Sequence, residues 1–249
     1  MLRYLHVNIG AMIKISDTNV RICELYYEPP KAVNMILSDG ELARLRWLMH
    51  KSPMQVMPGG SRIFVTDIGK TIDYLYSIDF FHRVLKKDVL FSVTGGNYFY
   101  TTSSYRIHAD TGQSENEFPY KVIVIPLDLT GSGRSTLHVL NQRWYNQAAF
   151  FLKGGDQHQN DNDEYNICVY DYSDVVNLDT SGIDPELLAR EFSHINPQNF
   201  DGLSILSSFD WIIGGAMVFD RSHLHVSNNF RQTGIKSKIG LSLFLSINN

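Results

Sequence analysis

From residue 89 to residue 152 the chain is one apolar, β-branched run after another, each closed by a turn. Gly95-Gly96, residues 112–117 and residues 131–135 supply the turns, and the segments 120–129 and 136–140 between them carry the residue types of buried strands. A last alternating run covers residues 234–247. Helical signals come earlier in the chain. Ser38-Asp39-Gly40-Glu41 is a capping-box pattern, and Leu42, Leu45 and Leu48 with Trp47 continue it as an amphipathic helix. Residues 63–65 form a short strand signal, and a second helix is expected within residues 66–87 from the spacing of Ile72, Leu75, Tyr76, Phe80 and Leu85. Helices first and many short strands afterwards predict an antiparallel, mainly β jelly roll with flanking helices outside it.

The remaining segments fill in this plan. Residues 12–25 suggest edge strands, ended by Glu28-Pro29-Pro30. Residues 153–164 are polar and without period, which reads as a mobile loop. Asp184-Pro185-Glu186 starts a short helix, with Asp as the cap and Pro at its first position. Residues 211–219 read as an apolar strand pair. The expectation is one domain over residues 1–249: strands and buttressing helices to residue 88, then a core over 89–247. An insertion at about 153–208 is expected to shape a substrate mouth.

Composition excludes several classes of function. The net charge is −4, with an isoelectric point near 6.1, so no basic excess exists to neutralise phosphates and no nucleic-acid partner is expected. Residues 1–15 are apolar in part but broken by Arg3, His6, Asn8 and Lys14, which suits neither a secretory segment nor a membrane span. The two cysteines, Cys23 and Cys168, do not make a disulfide framework. A soluble, cytoplasmic protein is expected, with no membrane partner.

The chemistry concentrates in two places. In an extended chain residues two apart point to one side, so His108 and Asp110 bring an imidazole and a carboxylate to a common point. Such a pair is weak evidence alone, because it arises by chance on many surface strands. His225 lies 115 residues beyond Asp110, again after an apolar run, and offers a third ligand. Two histidines and one carboxylate on one face of a metal leave the opposite positions open, the coordination set of non-haem Fe(II) oxygenases. Lys238 follows His225 by 13 residues and shares strand parity with Gly240 and Ser242. A cation among small residues has a carboxylate-sized space before it.

This order and spacing resembles the 2-oxoglutarate and Fe(II)-dependent dioxygenases, over roughly residues 97–247, without resolving a prolyl-hydroxylase-like from a phytanoyl-CoA-hydroxylase-like branch. The resemblance implies a double-stranded β-helix of the cupin-like kind. It implies that His108, Asp110 and His225 bind Fe(II), and that Lys238, helped by Ser242, pairs with the far carboxylate of 2-oxoglutarate. Similarity to prolyl-hydroxylase-like members further implies that Tyr98 or Tyr100 hydrogen-bonds this cosubstrate. With O2 as the other cosubstrate, the implied reaction is hydroxylation of a C–H bond in a small molecule or peptidyl side chain, releasing succinate and CO2. Because Asp110 is present, no ligand position is vacated for a halide, and hydroxylation is favoured over halogenation.

Three alternatives stand beside this. His223, two residues from His225, also offers an imidazole; the family pattern places the ligand five residues after Asp220 and selects His225. Most branches use Arg where this chain has Lys, a point charge without the bidentate fork of a guanidinium, so Lys236 on the same parity competes with Lys238. A cupin-like metal-binding protein or isomerase without 2-oxoglutarate chemistry is the competing function, in which both lysines are solvated strand residues.

Overall fold

The computed structural model describes residues 24–56, 62–85, 89–112, 118–153 and 167–247. The strands expected within 12–25 and the polar loop at 153–164 lie almost wholly outside the described residues. The rest is mostly β, in two sheets. The larger has the order β1 (Lys31–Val33), β11 (Ala216–Asp220), β6 (Pro119–Gly131), β13 (Ile235–Ile247), β4 (Phe91–Thr101), β3 (Arg62–Val65), β2 (Gln55–Val56), with every neighbouring pair antiparallel. The smaller has the order β10 (Ile205–Asp210), β7 (Thr136–Arg143), β12 (His223–Ser227), β5 (His108–Ala109), β8 (Ala149–Phe151), β9 (Ile167–Val169), antiparallel except for the last pair.

Strand alternation decides what lies on each side of these sheets. In β6, Ile123, Ile125 and Leu127 face outward into a cluster with Leu45, Leu48, Leu75 and Phe80. Val122 and Val124 face the other way and join Leu137 and Val139 of the smaller sheet. The two sheets therefore pack face to face, as the two layers of a sandwich. Fully burying such a Leu, Ile or Val side chain contributes about 1.5–3 kcal/mol, and both sides of β6 collect this, which is why its pattern is a continuous apolar run.

The helices cover the outer face of the larger sheet. Helix α1 (Asp39–Lys51) opens on Ser38, whose hydroxyl accepts from Glu41 N while the Glu41 carboxylate accepts from Ser38 N at 2.7 Å, the reciprocal pattern expected from the sequence. Leu42, Leu45 and Leu48 are buried, whereas Trp47 is exposed and carries Arg44 over its ring at 4.2 Å. The single helix expected in 66–87 is two, α2 (Gly69–Ser77) and α3 (Phe80–Val84). Asp79 between them has φ 58°, and a left-handed residue cannot continue a right-handed helix.

The region 153–208 is not simply an insertion. Its described part contributes β9 and most of β10 to the smaller sheet, and its helix α4 (Pro185–Glu191) opens on Asp184, which accepts from Glu186 N at 3.0 Å. Phe192, Ile195, Phe200 and Leu203 then pack behind that sheet against Leu224, Val226 and Trp144. Residues 211–215 form a turn and not a strand, with Gly214 at φ 75°, and β11 begins only at Ala216.

Candidate active site between the sheets

The inner faces of the two sheets enclose a cavity of about 430 Å³. His108, Asp110, His225, Lys238 and Ser242 all line it. His108 and His225 stand directly opposite in the β5–β12 pair, with ring centroids 4.0 Å apart. Residues opposite one another in an antiparallel pair share a face, so pairing brings together two imidazoles that are far apart in the chain. One ligand atom each from His108, Asp110 and His225 lies within 4.8 Å of the others.

Local hydrogen bonds set the tautomers. His108 Nδ1 lies 2.9 Å from the Arg106 carbonyl oxygen, and His225 Nδ1 lies 3.2 Å from the His223 carbonyl oxygen. A carbonyl only accepts, so each Nδ1 carries the proton and each Nε2 keeps its lone pair. His225 Nε2 faces Asp110 Oδ2 at 3.3 Å. Two lone pairs and a carboxylate aimed at one place repel unless a positive charge sits among them. Burial, with His225 adding to it, pushes His108 down to about 3, so a second proton on that imidazole is disfavoured near neutrality and the ring is neutral. Burial alone raises a carboxyl, but His225, His108 and Arg221 outweigh it and hold Asp110 near 2. This donor set fits a divalent cation bound by two neutral imidazoles and one carboxylate. Tyr105, Phe150 and Phe219 pack their rings against the two histidines, which fixes the orientation of the imidazoles.

Beyond the triad, β13 presents Lys238, Ser242 and Phe244 to the cavity, while Leu241, Leu243 and Leu245 point into the helix-covered cluster. Lys238 is buried, with Nζ 3.3 Å from Ser135 Oγ and lying 4.5 Å and 4.8 Å from the ring centroids of Trp211 and Phe230. No carboxylate pairs with it among the described residues. Burial, with Arg62 as a second cause, pulls its ammonium down to about 7. Gly240 between Lys238 and Ser242 is required by close approach: a Cβ there would lie 2.5 Å from Phe99 Cζ and 2.8 Å from Trp211 Cη2.

The same alternation sorts the remaining candidates. Lys236 is exposed, because the register of β13 against β6 shifts between Ile235 and Ser237. Lys236 and Lys238 therefore do not share the cavity face that parity alone assigned to both. Tyr98 and Tyr100 are corrected in the same way. Tyr98 is fully buried on the outer face, where its hydroxyl lies 2.8 Å from Thr71 Oγ1, and Tyr100 packs against the same cluster. The inner positions of β4 are Asn97, opposite Ser242, and Phe99, opposite Gly240. His223 is buried on Leu140 O through Nδ1 at 2.7 Å, and Tyr27 packs against its ring. Among the described residues none from 167 to 208 lines the cavity, and Phe192, Ile195, Phe200 and Leu203 pack behind the smaller sheet.

Three lining residues carry no motif that sequence reading could use: Arg62, Asn97 and Arg221. Arg221 is buried and donates from Nε to the Asp110 carbonyl at 2.8 Å and from Nη1 to Ser246 Oγ at 2.9 Å. It ties the loop carrying Asp110 to β13. Its place directly after Asp220, in the turn between β11 and β12, was the one available signal.

No protein-family model matches the sequence, and no curated protein matches it. Solved structures do. The non-heme alpha ketoglutarate dependent carbocyclase SnoK from nogalamycin biosynthesis aligns with 95% of this chain and 87% of its own, at 12% identity and a TM-score of 0.50. The chain shares SnoK's fold. HygX from Streptomyces hygroscopicus, solved with nickel, 2-oxoglutarate and hygromycin B, aligns at 12% identity over 93% of this chain and 87% of its own, with a TM-score of 0.49. EvdO2 from Micromonospora carbonacea var. aurantiaca, complexed with 2-oxoglutarate, aligns at 13% identity over 96% and 94%, with a TM-score of 0.48. At 12% identity the likeness to SnoK is one of fold.

Proposed function

We propose that the protein is a non-haem Fe(II) and 2-oxoglutarate-dependent oxygenase built on a double-stranded β-helix. His108, Asp110 and His225 hold the metal, and Lys238 holds the far carboxylate of the cosubstrate. The observation that carries this is the buried Lys238 ammonium, unpaired with any acid among the described residues, in the cavity that holds the two-histidine, one-carboxylate cluster. A buried cation without a counter-charge is costly, and a bound dicarboxylate supplies that charge. Lys238 as a lone solvated lysine, the premise of the cupin-like alternative, does not agree with its burial.

When bound, iron with 2-oxoglutarate and O2 supplies an oxidant for C–H bonds, and succinate and CO2 leave. The chain's own work is positioning. Ser242 and Asn97, side by side on β13 and β4, line the space along which the dicarboxylate lies. Lys238 fixes its register against the triad, and the Tyr105 and Phe150 rings limit water around His108. Hydroxylation of a small molecule is the outcome we assign. A peptidyl side chain is the other substrate form compatible with the cavity. SnoK, which shares the fold, is a carbocyclase, so the fold alone does not choose the outcome. The cytoplasm is the compartment we assign, on the cysteine argument; no helix among the described residues is long and apolar enough to cross a membrane.

The test is succinate formation from 2-oxoglutarate with Fe(II) and O2. Wild-type protein is expected to produce succinate, Lys238→Ala only at raised cosubstrate concentration, and His108→Ala not at all. Equal turnover in all three proteins contradicts the assignment.

A further inference from the structure

Lys238 is placed to do more than hold a carboxylate. Its side chain is buried, lines the cavity, and meets no acid among the described residues. The ring centroids of Trp211 and Phe230 stand 4.5 Å and 4.8 Å from Nζ, and Ser135 Oγ is 3.3 Å away. The charged or titratable groups that act on it are Arg62, from β3, and His194, from the segment after α4. Neither is an acid.

Burial without a counter-charge favours the free amine over the ammonium. The ring faces favour the ammonium, and the balance is a group that titrates at about 7. Roughly half of it is therefore free amine near neutrality, against about one in a thousand for an exposed lysine. The chain thus keeps a nucleophilic nitrogen inside a cavity. CO2 is the electrophile that matches this site: it is small, uncharged, and released in the same cavity by the reaction assigned above. The product of its addition, a carbamate, is a carboxylate borne by the amine itself, so it fills the space that receives the far carboxylate of the cosubstrate. Ser135 Oγ, which accepts a hydrogen bond from the ammonium, also carries a proton to donate to a carbamate oxygen.

We propose that Lys238 is a carbamylation site, at which CO2 adds reversibly to the side-chain amine and closes the carboxylate subsite. The nitrogen lone pair forms the new N–C bond, one C–O π bond of CO2 opens to leave its electron pair on oxygen, and a proton passes from nitrogen to solvent. Nothing is oxidised or reduced. The modification needs no metal and goes beyond the oxygenase reading; its consequence, competition between CO2 and 2-oxoglutarate, rests on that reading.

The test is carbon NMR of the full chain, metal-free, in isotope-labelled bicarbonate at a fixed pH slightly above neutrality. Wild-type protein is expected to show one carbamate resonance per chain that Lys238→Met lacks. A carbamate on the α-amino group, which titrates near 7.7–8.0, persists in both and serves as the internal control. Ser135→Ala should weaken carbamate formation at Lys238 by about tenfold, the loss of one hydrogen bond to a charged group. Wild-type and Lys238→Met spectra that coincide overturn the proposal. Should Lys238→Met not fold, as read by its near-ultraviolet circular dichroism, Ser135→Ala carries the test, and a carbamate spectrum unchanged from wild type overturns it. A second arm adds Zn(II) and N-oxalylglycine, an isostere of 2-oxoglutarate that is not turned over, and the Lys238 resonance is expected to disappear. A Lys238-dependent resonance that survives saturating N-oxalylglycine leaves the modification standing and sinks Lys238 as the anchor of the cosubstrate, so the two readings fail separately.

Discussion

The two faces of β13 and β4 differ as sharply as a core differs from an active site, although they are made of the same residues taken alternately. Outward lie Leu241, Leu243, Leu245 and Tyr98, all fully buried under α1, α2 and α3. Inward lie Lys238, Gly240, Ser242 and Asn97, a charge, two small residues and an amide. The outer face derives its stability from apolar area removed from water. The inner face gives up that contribution and keeps a charged, hydrogen-bonding surface, including an ammonium that burial disfavours. Stability and chemistry are thus separated by strand parity, and substitutions on the two faces should have effects of different kind.

The largest effect is expected on the inner side, at the triad. His108→Ala removes one of the three proposed ligands and should lower metal affinity by more than about a hundredfold, since even the partners behind a ligand contribute 10–100-fold. Metal content after dialysis measures this, and the denaturation midpoint of the metal-free protein should change far less. Next comes the outer face: Leu243→Ala is expected to cost about 2–5 kcal/mol in denaturant unfolding, with the cosubstrate affinity of the folded fraction unchanged. A loss of cosubstrate binding in folded Leu243→Ala protein would break the separation of faces.

Lys238→Met, on the inner face of the same strand, should behave in the opposite way. Its 2-oxoglutarate KM is expected to rise by about ten- to a hundredfold, while stability near pH 7 holds or increases because an unbalanced buried charge is gone. The pH dependence gives the sign. Lys238 titrates at about 7 in the folded protein, below its unfolded value near 10.4. Between these values the unfolded chain holds a proton that the folded one lacks, so wild-type stability should climb as pH rises from about 7 to 10. Lys238→Met should flatten that slope. The smallest effect is expected from Tyr98→Phe, which removes the hydroxyl bonded to Thr71 and should cost about 1 kcal/mol without altering cosubstrate KM. Asn97→Ala, one residue away and facing inward, should do the reverse.

Period and turn chemistry made much of this legible in the sequence. The HxD pair, the later histidine and the lysine 13 residues beyond it lie around one cavity, because each depends on strand alternation that the residue pattern displays. What escaped was set by register and by which face of each sheet lies inside. The family resemblance points to Tyr98 or Tyr100 at the cosubstrate, whereas parity within β4 says only which residues share a face, not which face is inside. Lys236 was lost to a register shift that no single-strand pattern reveals. Arg62 comes from a short strand whose neighbour, β4, is set by the sheet order, and an arginine before three apolar residues has no mark of its own. The break between α2 and α3 rests on one left-handed Asp, a conformation that Asp adopts readily but does not announce.

The central claim, that the inner face of β13 is a carboxylate receptor for a metal held by His108, Asp110 and His225, is tested most directly by anaerobic titration of the Fe(II)-loaded protein with 2-oxoglutarate, followed by the visible charge-transfer absorption of a chelated keto acid. The account predicts one equivalent bound per chain in wild type, the same band at about tenfold or more higher ligand concentration in Lys238→Ala, and no band in His108→Ala. A titration curve for Lys238→Ala that overlays the wild-type curve would contradict it.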